Sequence, residues 1–118
     1  MSVPLPSSTQ RPLQFANGTA IGTSQRWSGG QYCSVLTRAG IVGCGIYDLR
    51  TAEEFGQAIA IAKGTPECPL TEPEDLFDAI IVGVTARAAA MGIKPGDTGR
   101  AAIEVMLAQS ANAEVEAE

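Results

Sequence analysis

Residues 40–51 read GIVGCGIYDLRT, and the division of the chain turns on them. Within the stretch, a short apolar run ends in Cys44 between two glycines. Asp48 follows, and then a helix start. Upstream, apolar residues come in short runs broken by turn dipeptides, which is the pattern of strands. Downstream they recur at three- and four-residue intervals, the pattern of helices.

Working upstream, Leu13 and Phe15 alternate with polar or small neighbours before Asn17-Gly18. That dipeptide is a strong hairpin signal, because a type I′ turn needs positive φ at both central residues. Residues 19–27 form the next strand, and Ser28-Gly29-Gly30 the next turn. Residues 31–37 and 41–47 complete the meander, with Arg38-Ala39-Gly40 between them. The third and fourth strands are apolar on both parities. A sheet packed on one side alternates apolar and polar residues, so here both faces should be covered. The chain's own helices can cover one face, and another copy of the chain is the simplest cover for the other. Trp27, at a strand end, would suit an interface anchor or a cap on the core.

Downstream, Thr51 and Glu54 have capping-box spacing, and Phe55, Ile59 and Ala62 share one stripe, which predicts a helix over residues 51–62. Gly56 inside it costs about 1 kcal/mol relative to alanine. Gly64 and Pro66 end it. Residues 65–70 have room for one edge strand, since two prolines exclude a central one. Thr71 and Glu74 repeat the capping-box spacing. In residues 74–91, AIIVGVT alone reads as a buried strand. The four-residue step through Leu76, Ile80, Val84 and Ala88, together with the length, favours a helix over it. Gly92 is a C-cap and Pro95-Gly96 a turn. Asp97 or Thr98 caps a last helix over residues 98–108, with Ala102, Ile103, Met106 and Leu107 inward. The expected architecture is α+β: an N-terminal antiparallel meander followed by about three helices packed on one face of the sheet. Residues 12–108 form its single domain. Residues 1–11 and 109–118 are expected to be disordered tails.

The chain has 118 residues, of which 45% are hydrophobic and only 5% aromatic. Such a core is built from small and β-branched side chains and is thin, so association with other copies would help it. The net charge is −5 and no basic patch is visible, which argues against nucleic acid or an anionic membrane as partner. There is no histidine, so a single chain cannot build a Ser-His-Asp or Cys-His arrangement. Cys33, Cys44 and Cys68 are odd in number, and their spacing matches no zinc pattern. No metal and no cofactor are expected. No charged-then-apolar leader or membrane-length apolar run stands out, so the expectation is a cytoplasmic protein with reduced, buried thiols.

The order of motifs resembles the YunC-like family of uncharacterised bacterial and archaeal proteins. The shared elements are Cys44-Gly45-x-x-Asp48, then Leu76-Phe77-Asp78-Ala79, Val84-Thr85, Met91-Gly92-Ile93-Lys94, and Gly96 with Gly99-Arg100. They span roughly residues 38–107. This chain departs from the family where Ile80 replaces a common proline, and where Glu67-Cys68-Pro69-Leu70 replaces a clearer strand. The resemblance implies a small α+β domain of unknown function whose N-terminal β region is a tetramerisation element. It supplies no reaction.

Two readings of the chemistry follow. In the first, the chain is a homo-oligomer, dimer or tetramer, with no catalysis of its own. In the second, glycines expose Cys44 at a strand end, and the adjacent helix N-terminus makes it a nucleophilic or redox-sensing thiolate. Asp48, Thr98 and Arg100 would then bind a small anionic metabolite, with Gly96 to Arg100 offering N–H groups at a helix start. Against this, and favoured by the absence of histidine, Cys44 is a small residue packed where helix and sheet touch. Asp48 and Thr98 read more readily as caps, and Cys33 and Cys68 are expected to be buried or neutral.

Overall fold

The computed structural model describes residues 5–45, 48–64 and 69–117, with side chains described to residue 109. The elements are β1 (Ser7–Phe15), β2 (Gly18–Trp27), β3 (Gly30–Leu36), β4 (Ile41–Cys44), α1 (Leu49–Glu54), β5 (Ile59–Lys63), a 3-10 turn (Pro73–Leu76), β6 (Ile80–Val84), α2 (Ala86–Ala90) and α3 (Gly99–Ala117). The strands form one sheet in sequence order, β1 to β6. All neighbours are antiparallel except β4 and β5, which run parallel through the α1 crossover. The fold is α+β, and its six-stranded sheet is larger than the four-strand meander expected.

The first hairpin differs from the expected type I′ turn. Phe15 pairs with Gly18, so the central residues are Ala16 and Asn17, and no non-glycine residue has positive φ among those described. Phe15 explains the shift. Its ring packs edge-on against Phe77 at 5.3 Å, and a one-residue slip would turn it to the opposite face. β1 also begins at Ser7, within the stretch expected to be a tail. α3 likewise runs on to Ala117, past the expected end at residue 108.

The helix expected over residues 51–62 is two elements. Asp48 is the N-cap and α1 starts at Leu49, two residues before the predicted start. Gly56 ends the helix instead of sitting inside it. At φ 65 it lets Gly56 N–H reach Glu53 O (3.1 Å) and Gln57 N–H reach Ala52 O (2.9 Å). These are the two bonds of a Schellman stop. The chain then enters β5, whose alanines fit beneath the helices. The preference for a helix over residues 74–91 is also overturned. The β-branched run Ile80, Ile81, Val82 and Val84 favours extended backbone, and residues 80–84 pair with β5. The expected edge strand over residues 65–70 falls largely outside the described residues.

The register defines two sheet faces. Ala20, Gly22 and Ser24 lie opposite Val35 and Cys33, which continue onto Val42 and Cys44 and then Ala60 and Ala62. The 3-10 turn and α3 pack on this face: Leu76, Ile103 and Met106 are fully buried in one cluster with those residues. The second face carries Ile21, Thr23 and Gln25 of β2, with Leu36, Ser34 and Tyr32 opposite them. Ile41 and Ile61 continue it. α1 lies on this second face, since Leu49 Cδ1 fills the space beside Gly83 and Ile61. The helices therefore divide between the faces, in contrast to the expected single helical layer.

Thr85 joins the two halves. Its hydroxyl donates to Gln57 O (2.7 Å) and accepts from Ile59 N–H (3.1 Å) and Ala88 N–H (3.3 Å). It caps α2 and fixes the entry to β5 at once, and it is wholly buried.

Candidate functional site

Cys44 ends β4 on the helix-covered face. It is 9% exposed and belongs to the core cluster. Cys33, fully buried, lies on the same face one rung beyond the Ser34–Gly43 pair. Burial pushes the Cys33 thiol up to about 12, and the charge of Cys44 adds to the shift. Cys33 is therefore a neutral thiol at physiological pH. Both cysteines are free.

Asp48 is exposed and engaged in its own helix. Its carboxylate accepts from Thr51 Oγ1 (2.8 Å) and Arg50 N–H (3.0 Å). These bonds, the Thr51 hydroxyl first, hold its pKa below the usual carboxylate value. A depressed carboxylate pKa means stability that is present above the unfolded value and lost as pH falls through the folded one. Glu74, held down chiefly by Arg11, and Asp97, held down chiefly by the Lys94 backbone N–H, shift the same way. The thermal midpoint is therefore expected to hold from neutrality down to about pH 4 and fall below it. Asp48→Asn should shrink that acid limb, which a pH series of thermal melts would show. An unchanged limb would contradict the capping role.

Thr98 and Arg100 share the start of α3. Thr98 Oγ1 accepts from Ala101 N–H (3.2 Å) as a cap. The Arg100 guanidinium lies over the Phe77 ring at 4.6 Å and the Phe15 ring at 5.8 Å, a cation–π arrangement. Asp48, Thr98 and Arg100 thus each serve a local structural element, with Asp48 at the start of α1 and the other two at the start of α3. Among the described residues, no three His, Cys, Asp or Glu side chains gather as a metal site. No helix among them is long and apolar enough to cross a membrane.

What the sequence reading left unresolved is the second face. Ile21 is 37% exposed and Trp27 43%. Thr23 and Ser34, directly opposite, are buried and hydrogen bonded to each other. Gln25 Oε1 is buried without a hydrogen-bond partner among the described residues, while its amide nitrogen donates to Ser8 Oγ (3.2 Å). Parity along residues 19–36 was the signal for this face, but it could not say which side the helices would take.

The fold and its two-sided sheet define a small α+β domain whose β2–β3 rungs from Ile21 to Gln25 are uncharged on the face opposite its long helix. The chain belongs to the domain of unknown function DUF1805, whose family model matches residues 43–106. The resemblance drawn from the motifs holds at the level of an uncharacterised domain. A crystal structure of a protein of unknown function, TA1206 from Thermoplasma acidophilum, superposes with a TM-score of 0.77 at 16% identity. The alignment covers 90% of this chain and 99% of that one, and it speaks for the fold alone. No curated protein matches the chain.

Proposed function

We propose that the chain is a cytoplasmic homo-oligomer of the YunC-like kind, a dimer or tetramer that assembles through the second face of its N-terminal β region and has no catalysis of its own. The observation that carries this reading is the exposure of Ile21 on a sheet face that also bears Leu36, Tyr32 and Trp27. No charged side chain stands on the β2–β3 rungs of that face from Ile21 to Gln25. A chain of net charge −5 repels its own copy over most of its surface, and a neutral face is where two copies can meet. A two-fold contact would be self-complementary. The Thr23 and Ser34 hydroxyls are already buried and bonded to each other, so covering them takes little more from water. Gln25 Oε1 would gain a donor from the second copy, which removes the cost of a buried acceptor left alone. The tetramerisation implied by the family resemblance agrees.

Cys44 is not read as a catalytic centre, because it belongs to the core cluster. The test is Ile21→Glu, which places a charge in the middle of the face. Loss of the oligomer in sedimentation velocity, with an unchanged far-UV spectrum, is expected. A variant that sediments as the wild type does would overturn the assignment of this face.

A further inference from the structure

Cys33 and Cys44 face each other across β3 and β4. Val35 pairs with Val42 and Ser34 with Gly43, so the next rung sets Cys33 opposite Cys44. Opposed residues of an antiparallel pair project to one face, and their Cα atoms are about 4.5–5.5 Å apart in either type of pair. Both spacings lie within the range that a disulfide spans. The two sulfurs share the same core cluster, and the charge of one is felt at the other. Cys44 is the more accessible of the two. Gly45 beside it is exposed, and among the described residues nothing lies within 4 Å of where its side chain would be.

We propose that Cys33 and Cys44 form a redox dithiol that hydrogen peroxide converts to a cross-strand disulfide. The Cys44 sulfur, as thiolate, attacks one peroxide oxygen. An S–O bond forms, the O–O bond breaks and hydroxide leaves, giving a sulfenic acid. The Cys33 sulfur then attacks the Cys44 sulfur. The S–S bond forms, the S–O bond breaks, and the Cys33 proton leaves with the hydroxide as water. Two electrons pass from the sulfur pair to the peroxide, and each oxygen ends as water once the first hydroxide is protonated. Burial of Cys33 makes it a resolving partner that does not react first. It also shelters the product from bulk thiols.

Digestion with trypsin makes the test direct, because the three cysteines fall in separate peptides: residues 27–38, 39–50 and 64–87. The native protein is treated with hydrogen peroxide, unfolded, alkylated, and digested without reduction. The expected result is the loss of two of the three alkylatable thiols, with peptides 27–38 and 39–50 joined within one chain and Cys68 alkylated. Protein unfolded before oxidation should lose that preference. Four results would overturn the proposal: Cys33 and Cys44 both alkylated, Cys44 as sulfinic or sulfonic acid, a link to peptide 64–87, or links between chains. The Cys68→Ser variant repeats the experiment with only the proposed pair present. The oligomer does not enter this readout, so either proposal can fail without the other.

Discussion

Replacing Gly99 with alanine is expected to destabilise the domain by about 3 kcal/mol, seen as a lower urea midpoint with an unchanged slope. A Cβ at Gly99 would fall on the Leu76 carbonyl oxygen. The obstacle is backbone, not a flexible side chain, so it cannot swing aside. Gly99 N–H donates to Ala79 O (2.9 Å) and Arg100 N–H to Phe77 O (3.1 Å), which pins the start of α3 against the segment that contains Leu76. Leu76 is itself fully buried. Alanine's helix preference over glycine offers at most about 1 kcal/mol in return, so the clash decides the sign. Gly45→Ala is the control: among the described residues its Cβ meets nothing within 4 Å, and a change within about 0.5 kcal/mol is expected. A Gly99→Ala protein as stable as the wild type would contradict the close approach of α3 to the 3-10 turn.

Thr85→Val is expected to cost about 2–3 kcal/mol, although it preserves shape. The hydroxyl serves three backbone groups. The buried Ile59 N–H carries most of the cost once orphaned, at about 1–3 kcal/mol. Loss of the α2 cap adds about 1 kcal/mol. Thr85→Ser keeps the hydroxyl and should cost about 1 kcal/mol, mostly for the missing methyl. Equilibrium unfolding of the two variants separates hydrogen bonding from packing. Equal losses for valine and serine would mean that packing alone accounts for Thr85.

These two residues also show where sequence reasoning stops. The meander was legible because Ser28-Gly29-Gly30 and Arg38-Ala39-Gly40 punctuate runs of apolar residues. The inward stripe of α3 was legible because Ala102, Ile103, Met106 and Leu107 have helical spacing, and all four are buried. The middle of the chain was misread because short elements carry two periods at once. Gly56 looks like an interior flaw until the Schellman bonds are seen, and Ile80 to Val84 step by four as readily as by two. The strand wins because β5 offers an open edge, a long-range pairing that no local pattern reports. The link from Thr85 to β5 had no local signal, since Ile59 and Gln57 lie 26 and 28 residues away. For the candidate site, Cys44, Asp48, Thr98 and Arg100 were found as capping and packing residues. The Cys33–Cys44 opposition follows from a register that only the paired strands reveal.

The central claim is that the second sheet face, from Ile21 to Trp27 on β2, joins copies of the chain. The most direct measurement is the mass of the wild-type protein by multi-angle light scattering at micromolar concentration. The account predicts two or four times 12.2 kDa, steady on dilution through that range. A single species at 12.2 kDa would contradict it and leave Ile21 and Trp27 exposed with no copy to cover them.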